Sequence, residues 1–140
     1  MRSLDEQTAS RRVVLDTNVL VSALLTPAGN PNTVLQAVLD RRITLVYSAD
    51  TMTEYRSVLS RARFGFDARD VSDLLTFFEV FGDFVESIKS DGAMPDESDR
   101  AFLDAATTAG AVLITGNTKH FPRSQGVQTP AECVGDISRA

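Results

Sequence analysis

Hydrophobic positions along the chain follow two rhythms. Short β-branched runs alternate with longer stretches whose apolar residues recur at helical spacing. Val13-Val14-Leu15 is such a run and suits a strand buried on both faces. Asp16-Thr17-Asn18 then supplies cap-type side chains, and Val19 to Leu25 continues as a helix. Pro27 to Pro31 is a loop by composition. Asn32 or Thr33 caps a second helix to about Arg41, with Val34, Leu35, Val38 and Leu39 at helical spacing. Ile43 to Tyr47 is the next strand. Ser48 or Asp50 caps a third helix through Met52, Tyr55 and Leu59 to about Arg61.

Phe64-Gly65-Phe66 interrupts the pattern. Asp67 to Phe81 reads as a fourth helix, with Val71, Leu74, Leu75, Phe78 and Phe81 on one side. Phe84 to Ile88 alternates as a strand does, and Ser90 to Ser98 is a polar loop. Asp99 to Ala109 is a helix ended by Gly110. Ala111 to Thr115 is a third buried strand, and Val127 to Thr129 a short last one. Alternating strands and helices predict an α/β fold: a three-layer α/β/α sandwich around a mainly parallel sheet of about four to five strands.

At 140 residues the chain fits one domain, long enough to bury a core without staples. Met1 to Ser10 is polar and reads as a disordered leader with no signal peptide. No apolar run is long enough to span a membrane. One cysteine cannot form an internal disulfide, so Cys133 reads as a reduced, buried thiol in a cytoplasmic protein. The net charge of -5 argues against binding nucleic acid through a basic surface.

In parallel sheets, sites form outside the carboxyl ends of the strands. Two strands are followed directly by polar residues there: Asp16-Thr17-Asn18 after the first, Thr115-Gly116-Asn117 after the third. Parallel pairing of those strands would set the two tips side by side. Asp16 is either a helix cap or a carboxylate for a metal. In the Asp99–Ala109 helix, Asp99 falls within roughly 50° of the centre of the apolar stripe, facing core or cleft. Asp104 falls on the other side and is expected as a solvated surface charge. Glu54 lies at the edge of its helix stripe, and periodicity does not decide its role. Convergent carboxylates repel unless a cation joins them, and hard oxygen ligands suit Mg²⁺ or Mn²⁺. The chain has no Cys/His cluster for zinc, no Walker A loop and no GxSxG elbow. Metal-assisted hydrolysis is the enzyme chemistry that remains.

Val13-Val14-Leu15-Asp16-Thr17-Asn18-Val19-Leu20 resembles the opening strand and turn of PIN domains, nucleases that include the VapC-type toxins of bacterial toxin–antitoxin pairs. Asp99-Arg-Ala-Phe-Leu-Asp-Ala-Ala, then Gly110 to Asn117, resembles the second half of the same motif. Thr115 to Pro122 and Thr129 to Glu132 are similar to a PIN toxin subgroup. The resemblance covers roughly residues 12–135, which delimits one domain between a leader (1–11) and a C-terminal tail (136–140).

The resemblance implies a metal-dependent endoribonuclease, the toxin of such a pair. Asp16, Glu54 and Asp99 would hold Mg²⁺ or Mn²⁺. The place of a further acid is taken here by Asn117, which carries no charge, and Asp96 would make up for it. Thr17, Asn18 and Thr115 would orient the carboxylates and bound water. Arg61, Arg63, Lys119 and His120 are candidates for phosphate contact. RNA as substrate, an antitoxin partner over the acidic cleft and a homodimer are further implications. The apolar face of the fourth helix (Leu74, Leu75, Phe77, Phe78, Phe81) is rich enough to serve core and homodimer interface together. With a cation in the site, the negative charge no longer excludes RNA. The alternatives are a degenerate PIN fold that binds without cutting, favoured by Asn117, and a metal-dependent phosphatase.

Overall fold

The computed structural model describes residues 11–122 and 126–139, so the leader expected at the N-terminus lies, but for Arg11, outside the described residues. Val13, Val14 and Leu15 are wholly buried in β1 (Arg12–Leu15). Burial on both faces is what the apolar run demands, and β1 takes the middle of the sheet. Its neighbours are β2 (Thr44–Tyr47) and β4 (Val112–Ile114), with β3 (Asp83–Phe84) and β5 (Val127–Gln128) at the edges. The order is β3-β2-β1-β4-β5, and every pairing is parallel. Helices α1 (Thr17–Leu25), α2 (Asn30–Leu39), α3 (Ala49–Leu59), α4 (Ala68–Phe81), α5 (Arg100–Ala109) and α6 (Pro130–Arg139) flank it. The expected α/β/α sandwich is the observed one.

Local chemistry explains the helix starts. Ser48 and Thr51 form a reciprocal capping box: Thr51 N–H donates to Ser48 Oγ at 3.1 Å, and Ser48 N–H to Thr51 Oγ1 at 2.9 Å. Asp67 caps α4 through the Arg69 and Asp70 N–H groups. Gly110 closes α5 at φ 66°, a left-handed conformation that favours glycine. None of the described helices is long and apolar enough to cross a membrane.

Tyr55, fully buried, joins the sheet to its helices. Its ring packs on Phe78 and Phe102 at centroid distances of 6.0 and 5.6 Å. Its hydroxyl donates to the Leu15 carbonyl at 2.6 Å, fixing the end of β1 from which Asp16 projects. Met52 and Cys133 are buried as expected.

Four expectations need correction. α2 starts at Asn30 behind Gly29, with Pro31 in its first turn. Proline is pre-organised for that position, and the Asn32 side chain instead donates to the Ala23 carbonyl. The Phe84–Ile88 strand stops at Phe84. After Val85 bonds the Tyr47 carbonyl, the chain leaves the sheet and lies along α5. That departure also covers Asp104, which is 4% exposed rather than solvated. Ile88 N–H donates to Thr108 Oγ1 at 3.0 Å and Ser90 N–H to Asp104 Oδ1 at 3.2 Å. Arg100 donates to the Ser90 and Gly92 carbonyls. Residues 100, 104 and 108 share one helix flank and strap the segment down. Finally, residues 136–139, expected as a tail, belong to α6, where Ile137 is buried and Asp136 meets Arg11 at 3.1 Å.

Candidate metal centre

Parallel pairing of β1 with β4 sets Leu15 opposite Ile114. The next residues on each strand therefore emerge together at the carboxyl edge. Asp16 N–H donates to the Ile114 carbonyl at 2.9 Å. The Thr115 hydroxyl donates to Asp16 Oδ2 at 2.7 Å and accepts Asn117 N–H at 3.0 Å. Asp16 stands at the N-cap position of α1, yet its side chain makes no capping hydrogen bond.

Asp16 is 4% exposed and Asp99 8%. Both sit at the wall of one cleft of about 360 Å³, which Glu54, Asp96, Thr17, Asn18 and Asn117 also line. Burial raises the Asp16 pKa, the Asp99 charge raises it further, and the Thr115 hydrogen bond opposes the rise. Burial likewise raises Asp99, with the Asp96 charge adding to it. His120 restrains that rise: its Nδ1 lies 3.0 Å from Asp99 Oδ2. Asp96 is exposed, and hydrogen bonds from the Ser98 hydroxyl and N–H hold its carboxyl below the usual range. Two carboxylates are thus held where their charge is costly.

The structure brings together Asp16, Glu54, Asp96, Asp99 and Asn117, with Thr17 and Asn18 beside them and Thr115 buried beneath. Arg61, Arg63 and His120 reach the same cleft. Lys119 is exposed on the Thr118–His120 turn and is not among the residues lining the cleft. His120, a candidate for phosphate contact, also lies against Asp99. Phe64, Phe102 and Ser98 line the cleft without having been singled out. A signal existed for Phe64, since it directly follows Arg63 in a break between helices.

Among the described residues, no three carboxylate, imidazole or thiol side chains converge tightly enough for a closed metal cage. A hard cation such as Mg²⁺ needs no such cage, since it keeps several waters and takes one or two carboxylates. Thr17 Oγ1 and Asn18 Oδ1 are buried without any hydrogen-bond partner. Two buried carboxylates with raised pKa values, in a cleft that the Glu54 and Asp96 carboxylates also line, are a hard-oxygen donor set whose charge such a cation would neutralise. The residues fit a mostly hydrated Mg²⁺ or Mn²⁺.

The sequence matches the PIN domain family over residues 12–119. It is 28% identical over 110 residues to the uncharacterized protein MJ1680 of Methanocaldococcus jannaschii, spanning 76% of this chain and 70% of that protein. The fold is similar to that of VapBC2 from Rickettsia felis, solved bound to a DNA fragment from its promoter. The TM-score is 0.56 at 15% identity, over 84% of this chain and 98% of that one. It is also similar to FitAB bound to the IR36 DNA fragment, with a TM-score of 0.54 at 18% identity, over 84% and 94% of the two chains.

Proposed function

Because this chain belongs to the PIN domain family, we propose that it is a metal-dependent endoribonuclease, the toxin of a toxin–antitoxin pair. The observation that carries the reading is the convergence of Asp16 and Asp99, buried and with raised pKa values, on a cleft that Glu54 and Asp96 also line. Asp16, Asp99 and Glu54 would hold Mg²⁺ or Mn²⁺, with Asp96 in reach. A cation held there would supply Lewis acidity for phosphodiester hydrolysis.

The chain's own residues do the rest. Thr115 keeps the Asp16 carboxylate turned toward the cleft, and Tyr55 fixes the strand end behind it. His120 orients Asp99. Asn117 offers a carboxamide to hydrogen-bond water without adding charge. Arg61 and Arg63 place two guanidinium groups at the rim, where a bound strand would pass. An antitoxin that covers this acidic cleft with a basic side chain fits the same charges. Homodimerisation belongs to the proposal, supported by the exposed apolar Val80, Phe81 and Phe84 at the end of α4 and on β3. A cytoplasmic location accords with an RNA substrate.

Purified protein with Mg²⁺ or Mn²⁺ is expected to cleave single-stranded RNA, and Asp16→Asn to abolish it. Metal-independent cleavage, or equal activity in the variant, would overturn the proposal. A second reading, a PIN fold that binds RNA or a partner without cutting, is favoured by Asn117 alone. It requires RNA binding with no cleavage under any divalent metal.

A further inference from the structure

The break after α3 is built around two aromatic rings. A single 3-10 turn, Ala62–Phe64, ends at Gly65, whose φ of 66° is the left-handed conformation that favours glycine. The turn reverses the chain so that the rings of Phe64 and Phe66 lie nearly parallel, 17° apart with centroids at 5.6 Å. Phe66 packs against the hydrophobic core, whereas Phe64 is not among the side chains packed on it. Phe64 is half-buried and lines the carboxylate cleft. The Arg63 guanidinium carbon lies 4.9 Å from the centre of its ring. Among the described residues neither Arg61 nor Arg63 is paired with a carboxylate.

A phenylalanine serving only the core would be turned inward. Here Phe66 anchors the ring of Phe64 at the wall of a site that also carries two cations with no carboxylate partner among the described residues. Flat guanidinium and phenyl groups beside free positive charge are the surface that unpaired nucleobases stack on. A duplex hides those base faces.

We propose that one nucleobase of a bound strand stacks on the Arg63–Phe64 pair while Arg61 meets its phosphate. The proposal rests on the nuclease reading above and adds how the strand is held. Stacking is sequence-tolerant, because every base has a π-face.

The test is fluorescence anisotropy of the full-length protein in Ca²⁺ with three labelled probes: a short oligoribonucleotide, the same strand made abasic, and its duplex. Wild type is expected to bind the single strand about 5- to 100-fold more tightly than the abasic strand. Phe64→Leu, and independently Arg63→Lys, which keeps the charge but loses the plane, are each expected to erase most of that preference. Phe64→Tyr is expected to retain it. A preference for bases left unchanged in both Phe64→Leu and Arg63→Lys overturns the stacking site, as does duplex bound as tightly as the single strand. If Mn²⁺-dependent cleavage persists in that case, the nuclease reading survives. If wild type binds no strand and cleaves none, both fall together.

Discussion

The Thr115 hydroxyl bridges the two central strand tips, donating to Asp16 Oδ2 at 2.7 Å while accepting the N–H of Asn117 at 3.0 Å. One buried hydroxyl thereby sets both the direction of a carboxylate and the path of the chain that carries Asn117. Thr115→Val keeps the shape and removes both bonds. The expected loss of stability is about 1–3 kcal/mol, the cost of a buried donor and acceptor left unpaired. The Asp16 pKa should rise further, because Thr115 opposes its rise. Urea denaturation measures the first effect, and carboxyl NMR titration the second.

Asp16 makes a pH prediction with a definite sign. Its folded-state pKa is raised above the unfolded value, chiefly by burial. The folded chain therefore holds that proton more tightly, and the contribution to stability is complete below the unfolded pKa of about 3.9. It is lost as pH rises through the folded value. In metal-free buffer at neutral pH, Asp16→Asn should be more stable than wild type, and the difference should vanish near pH 3. Chemical denaturation of both proteins across that range with EDTA present checks it. Mg²⁺ or Mn²⁺ should stabilise wild type more than the variant, because a ligand of the folded state alone raises its stability.

Asp104 should behave as a structural residue. Its carboxylate receives the Ser90 N–H at 3.2 Å and is 4% exposed. Asp104→Ala is expected to cost about 1–3 kcal/mol. Asp73→Ala, at an exposed position of α4, should stay within about 0.5 kcal/mol. Faster hydrogen exchange at Ser90 in the Asp104 variant would localise the loss to the strap.

Tyr55→Phe removes only the hydroxyl that bonds the Leu15 carbonyl at 2.6 Å. Burial, with the Asp16 charge in support, raises the phenol's pKa and keeps it a donor. The unpaired carbonyl should cost about 1–3 kcal/mol. Since that carbonyl belongs to the residue before Asp16, metal affinity should also fall, as calorimetry can show.

Much of this arrangement is legible in short-range pattern. Three apolar residues in a row mark β1 as central, so Asp16 must leave a buried strand end. Helical spacing turns Asp99 toward the cleft. Asp104 defeats the same method: it lies opposite the apolar stripe, but a segment from elsewhere in the chain covers it, and no local period encodes that contact. Glu54 is similar in kind, its place in the cleft depending on how α3 packs rather than on its own stripe. The start of α6 is encoded locally. Thr129-Pro130-Ala131-Glu132 forms a capping box, with Glu132 N–H donating to Thr129 Oγ1 at 3.1 Å and Thr129 N–H to Glu132 Oε1 at 2.8 Å. Phe64 needed both the Gly65 turn and the cleft geometry before its role could be read.

Isothermal titration of Mn²⁺ into the metal-free protein decides whether these carboxylates would hold a divalent cation. Saturable binding to wild type is expected, weakened at least about 10-fold in Asp16→Asn and again in Asp99→Asn, since loss of the groups behind metal ligands alone costs about 10- to 100-fold in affinity. No binding at millimolar Mn²⁺, or equal binding by wild type and both variants, would contradict it.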